Sequence, residues 1–510
     1  MTLQRITPQQ AHSLWDVAST RRLEVTAAAL LPANTLMQRA GLSIARLVMA
    51  MRPHAQSVWL ACGPGNNGGD GLEAATQLHL RGVNVTVTWA GSILDAPPDS
   101  QQAYQRLVAA GLTVSNHVPA QADVCVDALL GIGATRGLSG LLATWAQQMN
   151  DMRAQGAWVL AADIPSGLHA DTGRLLDAQA CTVHADATLS LLNLKPGLFT
   201  AHGRDVAGEL WLDDLQVSLS NQEQSTAFLQ GLPTEKPLKH NSHKGSFGDV
   251  AVVGGADGMC GAAVLAASAA MHAGAGRVFV SFLGQCQSNL PELMVRDLDS
   301  LKMSELCVVA GCGGGAAIAQ HLPKLISQAA LLVLDADALN AVATDNHLQT
   351  LLRERPAHTT VITPHPLEAA RLLGCSSAQV QHDRLRAARA LAEKFQCTAV
   401  LKGSGTVIAA PSCTPVINPT GNALLARGGT GDVLAGMVGA ALAALRHTTE
   451  QTTNKAGNTV DNTASNLVAN TTEGAAFRAA CSAVYQHGAL ADQWPTHAPW
   501  SPSLLAAAAR

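Results

Sequence analysis

Apolar and polar positions repeat along the chain in a regular way. Short apolar, β-branched-rich runs at 57–63, 83–89, 123–129 and 157–163 alternate with stretches at helical spacing such as LEAATQLHLRG (72–82). Runs of that length between turn residues predict buried strands, and their alternation with helices predicts a parallel, doubly wound sheet of the Rossmann-like kind. The rhythm breaks at 216–245, a polar stretch with two prolines. It resumes with runs at 249–255, 276–282, 305–315, 330–337, 359–365 and 398–406, which predict a second, larger α/β domain. The expected layout is a first domain over 1–220, a linker over 221–235 and a second domain over 236–510. Within the second, 447–474 is Asn/Thr-rich and poor in apolar residues, so it reads as a flexible insertion between two helices.

Composition narrows this picture a little. A chain of 510 residues is too long for one core. With only 3% aromatics, the cores must be packed by Ala, Leu and Val. A net charge of −4 gives no reason to expect nucleic acid as a partner. The run nearest to a membrane span, 261–276, is short, Ala-rich and carries His272, so a buried helix is expected there. No signal-peptide pattern opens the sequence, and the 11 cysteines include no CxxC pair. Cys125, Cys307 and Cys397 lie inside apolar runs, so the cysteines read as small buried hydrophobes of a cytoplasmic protein.

Candidate chemistry gathers at strand ends. ACGPGNNGGDG (61–71) sets five glycines and two asparagines around Asp70, directly after an apolar run. Glycine admits positive φ and close backbone approach, and a strand–glycine–helix turn offers amides to a phosphate. Tight packing alone would also explain such glycines. The stretch is not the dinucleotide fingerprint GxGxxG. Its side chains offer oxygens suited to a hard cation or to sugar hydroxyls. ADVCVDALLGIGATRG (122–137) and AWVLAADIPSG (157–167) place Asp127 and Asp163 at further strand ends. Ligands bind beyond the carboxyl ends of parallel strands. Each acid alone could be a helix N-cap; three beside glycine turns point to a site.

LMQRAG (36–41), GPGNNGGDG, VDALLGIGATRG, DIPSG and NLKPG (193–197) resemble the NAD(P)H-hydrate epimerase domain over about residues 5–220. The resemblance implies a Rossmann-like domain that interconverts the R and S hydrates of NADH and NADPH (NADHX and NADPHX) at C6 of the ring. It implies that Asn66, Asn67, Gly68, Gly69 and Asp70 contact the substrate, together with Gly131, Ile132, Gly133, Ala134, Thr135, Arg136 and Gly137. Asn67, Asp127 and Ser166 would ligate a potassium ion (K+), and Asp163 would contact substrate as the acid/base.

In the second half, NPTGNALLARGGTGDVLAGMVGAAL (418–442) sets Gly429, Thr430 and Gly431 and then Asp432 before a helix that is apolar on nearly every face. Amides at such a helix start can hold a transferring phosphate, and a carboxylate there can accept a proton. The segment resembles the anion hole and base of ribokinase-like kinases. With HKGSFGDVAVVGG (243–255), LDADALN (334–340), TPHPLE (363–368) and LKGSGT (401–406), it resembles the ADP- or ATP-dependent NAD(P)H-hydrate dehydratase over about 236–510. That resemblance implies a ribokinase-like fold and Mg2+ with ADP or ATP. Ala262, Gly313, His365 and Asp432 would meet the hydrate, with Asp432 the catalytic base. Lys402, Gly403, Ser404, Gly405, Thr406 and Gly431 would meet the nucleotide. A lone histidine is usually structural, but His365, between two prolines at a strand end, is read as lining the site. Cys312 stands where the family usually has proline, and Arg427 either touches phosphate or faces solvent. The alternative reading is a vitamin-precursor kinase with a nucleotide-binding regulatory first domain. Expected partners are the small-molecule substrates and a second copy of the chain; no membrane is expected.

Overall fold

The computed structural model describes residues 3–217, 225–234, 240–452 and 474–509; for 445–452 only the backbone is described. Most of the expected insertion, 453–473, and parts of the expected linker, 221–224 and 235, lie outside the described residues. Contacts divide the chain into two compact units. The first comprises Met1–Thr7 and Ser13–Ala227; the second comprises Pro8–His12 and Phe228–Arg510.

The first unit holds a seven-stranded sheet. Its strands are β1 (Gln4–Arg5), β2 (Ser57–Cys62), β3 (Asn84–Trp89), β4 (Val124–Ala128), β5 (Trp158–Ala162), β6 (Ala187–Leu191) and β7 (Glu209–Asp213). Their order is β1-β7-β6-β5-β4-β2-β3, parallel except for the antiparallel β1 edge. The four expected strands of this half are all present. After β3 the chain returns to the other side of β2. The crevice beyond the β2 and β4 ends is therefore the switch point where such sheets bind ligands.

In the second unit the parallel core runs through β8 (Asp249–Gly254), β9 (Arg277–Phe282), β10 (Cys307–Ala310), β11 (Leu331–Leu334), β12 (Thr360–Ile362) and β13 (Thr398–Leu401). These follow the order β9-β8-β10-β11-β12-β13, and β14 (Val407–Ala409) and β15 (Val416–Ile417) continue the sheet antiparallel. Part of the expected linker is ordered. Phe228 and Leu229 pair in parallel with Val416 and Ile417 as a strand too short to show a period in the sequence.

Small residues let the second unit's helices close on one another. The expected buried helix is Cys260–His272, with Ala263, Ala266, Ala267, Ala269 and Ala270 inward. It packs on Thr430–Thr452, where a Cβ on Gly436 would lie 2.0 Å from the Ala266 carbonyl oxygen. Among the described residues no helix is long and apolar enough to cross a membrane. The cysteine expectation holds only in part. Cys125, Cys307 and Cys397 are buried within strands or beside them, but Cys260 and Cys286 form a disulfide. Both lie outside the apolar runs, one at a helix start and the other just after β9, where no strand packing fixes them apart.

Candidate functional site

In the first unit the glycine-rich stretch is not an open turn. The Asn66–His79 helix starts six residues earlier than the apolar pattern suggested and takes Asn66 and Asp70 into its opening turns. None of Gly63, Gly65, Gly68, Gly69 and Gly71 has a positive φ. A Cβ on Gly63 would fall 1.7 Å from the Leu129 carbonyl oxygen, and one on Gly68 would fall 1.9 Å from that of Gly63. These glycines draw the helix start onto the β2 and β4 ends, so packing explains them. Only Gly65 faces open space.

Close approach ties Asp127 to Ser166 and sets Asn67 against the loop that follows β4. Asp127, at the end of β4, is fully buried. Its Oδ1 accepts Ser166 Oγ at 2.6 Å and Leu129 N–H at 3.1 Å, and its Oδ2 accepts Ser166 N–H at 2.8 Å. Burial still pushes its pKa up to about 6. Asn67 is buried, and neither Oδ1 nor Nδ2 has a hydrogen-bond partner among the described residues. The Gly131 backbone adjoins it: a Cβ there would lie 3.2 Å from Asn67 Cβ. From Gly131 to Gly137 the loop is half-buried to exposed, and Arg21 lies over Gly133.

Asp163 follows β5 with a left-handed backbone, φ 66°. Such a conformation costs a non-glycine residue of order 1–3 kcal/mol and persists where the surroundings enforce it. Oδ1 accepts Lys195 Nζ at 2.5 Å and Leu191 N–H at 3.0 Å. Burial, then the charge of Asp163, raises the pKa of both Asp70 and Glu24. Asp70, Glu24 and Asp163 thus share one electrostatic neighbourhood. Lys195 and Glu24 were not singled out from sequence. NLKPG contains the lysine, but only the fold shows it reaching back to Asp163.

In the second unit the candidate residues also converge. Gly313, φ 58°, abuts the helix start: a Cβ there would lie 2.6 Å from Met259 O and 2.9 Å from Ala262 Cβ. Next to it, Cys312 groups with Asp335 and Asp432, with donor atoms within 4.8 Å of one another. Asp432, in the first turn of Thr430–Thr452, has its pKa pushed up to about 6 by burial and then by Asp335. The Cys312 thiol is pushed well above its usual range by burial and those two acids, so it is neutral beside Asp432.

Lys402, just past β13, donates to Asp335 Oδ1 at 2.6 Å. Thr363 Oγ donates to the same oxygen at 2.9 Å. A Cβ on Gly431 would lie 3.4 Å from Lys402 Nζ, so the lysine reaches the start of the Thr430–Thr452 helix. Behind the 402–406 loop sits Arg384, fully buried, donating to the Leu401 and Lys402 carbonyls at 3.2 and 3.3 Å. Gly403 and Gly405 both take positive φ in that loop. His487, buried, binds the Thr430 carbonyl at 3.0 Å and fixes the helix start.

His365 has a structural task. It caps the Pro366–Leu373 helix, with Nδ1 accepting from Leu367 and Glu368 N–H. Burial and Lys402 lower its pKa. Arg427 is exposed. Asp335 and Glu368 were missed from sequence, although Asp335 ends the apolar run LLVLD just as Asp163 ends AWVLAAD.

Two α/β units, each with carboxylates gathered beyond its strand ends, define a two-site enzyme for small molecules. Residues 250–508 match the NAD(P)H-hydrate dehydratase family, and residues 33–197 match the YjeF-related protein N-terminus. The chain is 37% identical over 456 residues to the bifunctional NAD(P)H-hydrate repair enzyme Nnr of Escherichia coli strain K12, covering 84% of this chain and 85% of that protein. It is 36% identical over 432 residues to Nnr of Coxiella burnetii, covering 80% and 85%. A solved ADP/ATP-dependent NAD(P)H-hydrate dehydratase from Bacillus subtilis, co-crystallised with ATP/Mg2+, is 27% identical, covers 54% of this chain and 91% of its own, and superposes with a TM-score of 0.40. The chain belongs to the bifunctional NAD(P)H-hydrate repair enzymes, which join an NAD(P)H-hydrate epimerase to an ADP/ATP-dependent NAD(P)H-hydrate dehydratase. That membership selects the repair reading over the vitamin-precursor kinase.

Proposed function

We propose that the first unit epimerises R and S NADHX and NADPHX through Asp163, and that the second dehydrates the S hydrate with Asp432 as base and ADP or ATP as phosphoryl donor. The observation that carries the second part is the convergence of Lys402, Gly431 and Asp432 at one helix start. A ring hydroxyl is a poor leaving group. Asp432 accepts its proton as the oxygen attacks the terminal phosphorus, and the amides at Gly429, Thr430 and Gly431 hold the transferring charge. Lys402 and the 402–406 loop hold the nucleotide phosphates. The ring nitrogen then expels phosphate from C6, and loss of a C5 proton restores the ring double bond. Ala262, Gly313 and His365 line the hydrate end of this site.

A magnesium ion would neutralise phosphate charge in this reaction. The one cluster that converges among the described residues includes the Cys312 thiol, which a hard ion avoids, and Asp335 is already held by Lys402. Mg2+ is therefore expected to arrive on the nucleotide. Potassium fits the first unit better. Asn67 Oδ1 is buried without a donor, and Asp127 is buried with no cation beside it among the described residues. Asn67, Asp127 and Ser166 would hold K+ next to the 66–70 and 131–137 segments that meet substrate. A cytoplasmic homo-oligomer completes the proposal; light scattering tests the assembly.

Two conservative changes test the division of labour. Asp432→Asn should lower dehydration of pure S hydrate by roughly 10²–10⁴ and leave R/S exchange intact. Asp163→Asn should do the reverse. Normal dehydration by Asp432→Asn would refute the base, and a joint loss would refute separate sites.

A further inference from the structure

Lys195 is the least expected polar group in the first unit. It is fully buried, yet it carries an ammonium. Nζ donates to Asp163 Oδ1 at 2.5 Å, to Leu191 O at 2.7 Å and to Asn193 O at 3.0 Å, and lies 3.3 Å from Ser190 Oγ. An ammonium has three protons and no acceptor, so these contacts use it completely. Desolvating such a group costs several kcal/mol unless a counter-ion and full hydrogen bonding offset it. Here the Lys195 side chain is 0% exposed and that of Asp163 is 13% exposed. Its Oδ1 is taken by Lys195 and Leu191 N–H, and Oδ2 accepts no hydrogen bond among the described residues. The left-handed backbone at Asp163 fixes the other end of the side chain.

We propose that Lys195 is a positioning residue of epimerisation: buried behind Asp163, it pins Oδ1 and leaves Oδ2 as the one oxygen that exchanges a proton with the substrate. This rests on the reading of Asp163 as acid/base. The peptide at 191–195 acts as the frame. Leu191 contributes both an N–H to Asp163 and a carbonyl to Lys195, so acid and ammonium are registered on the same strand end. Without the ammonium, the carboxylate can turn about its Cβ–Cγ bond, and the reacting oxygen loses its place. An error of about 1 Å in such a group costs roughly 10²-fold in rate.

The test is steady-state R/S exchange in the full chain carrying Lys195→Ala. The epimerase kcat should fall by about 10²-fold while KM for the hydrate stays within a few-fold. Added ethylamine or propylamine should restore part of kcat, because a small alkylammonium can refill the buried slot. Asp163→Asn and the double variant are measured beside it. The double variant should be no slower than Asp163→Asn alone. Full activity in Asp163→Asn would overturn the acid/base reading itself. Loss in Asp163→Asn with normal kcat in Lys195→Ala would overturn only the role of Lys195, as would losses that multiply in the double variant. If melting curves show Lys195→Ala unfolded, Ser190→Ala decides instead. It loosens one contact of the ammonium, so a few-fold fall in kcat at unchanged KM is expected, and an unchanged kcat would overturn the proposal.

Discussion

Each unit sets an aspartate at a strand end against a lysine, and the buried partner is the lysine in one pair and the aspartate in the other. In the first, Asp163 turns toward the site, 13% exposed, and Lys195 is fully buried behind it. In the second, Lys402 turns toward the site, 18% exposed, and Asp335 is buried behind it at 2%. The distances are nearly equal, 2.5 and 2.6 Å. One pair therefore presents a carboxylate oxygen, the group needed to move a proton on a hydroxyl. The other presents an ammonium, the group needed to hold phosphate. What distinguishes the sites is which partner is buried, and that depends on the neighbours. Leu191 and Asn193 carbonyls draw Lys195 inward, whereas Thr363 O–H donates to Asp335 and anchors the acid.

The largest effect should come from Lys402→Met. It leaves Asp335 buried with only the Thr363 hydroxyl and its own backbone neighbours, and breaking a buried pair this way costs about 3–5 kcal/mol. Urea unfolding of the full chain should show that loss in the second unit's transition. Where the variant still folds, KM for ADP should rise by at least about tenfold, since the phosphate contact proposed for Lys402 is lost. This contrasts with the kcat lesion expected at Lys195. A loss under about 1 kcal/mol with unchanged KM would mean that the two pairs are alike and merely structural.

Much of this was legible in the sequence. Strand-end reasoning singled out Asp70, Asp127 and Asp163, because a parallel sheet must deliver its loops to one edge, and the glycine run before an apolar helix singled out Asp432. It did not locate Asp335, although LLVLD follows the same rule as AWVLAAD. Partners were harder. Lys195 lies 32 residues from Asp163, and Lys402 lies 67 from Asp335, so only the order of the strands brings each pair together. The glycines of 63–71 were recognisable as unusual, but their cause was not. Positive φ and close packing demand the same residue, and only the 1.7 Å approach of a Gly63 Cβ to Leu129 O separates them. The Phe228–Leu229 strand and the Cys260–Cys286 pairing depend on contacts with segments distant in the sequence, so no local pattern marks them.

A smaller effect sharpens the contrast in the ions the sites use. If Asn67, Asp127 and Ser166 hold K+, the ion should stabilise the first unit and leave the second unchanged. At a concentration 100 times its dissociation constant, the gain is about 2.7 kcal/mol. Melting curves in potassium chloride and in choline chloride at equal ionic strength should differ by several degrees in the first unit's transition. Asp127→Asn should abolish the difference. Identical curves would remove potassium from the proposal, while a shift confined to the second unit would relocate the ion.

The finest distinction is in pH. Asp432 must be ionised to accept the hydroxyl proton, and its pKa is pushed up to about 6, first by burial and then by Asp335. Dehydration should therefore be near its plateau at pH 8 and fall below pH 6, with roughly a tenfold loss by pH 5 for a single titrating base. The same shift has a stability consequence of opposite sense. Between about pH 4 and 6 the folded state keeps a proton that the unfolded chain has released, so this group's contribution to stability declines as pH rises through that window. Asp335→Asn removes one named source of the shift but leaves the burial. Its acid limb should move to lower pH, so the variant should keep a larger share of its own pH 8 rate at pH 5 than the parent does. The opposite movement is conceivable only if Asp335 acts chiefly by holding Lys402 close to Asp432, because the ammonium draws the pKa of Asp432 down. A limb that stays put or moves up would thus show that the buried acid behind Lys402 serves the lysine alone. The two pairs would then differ in which partner is buried without Asp335 tuning the base.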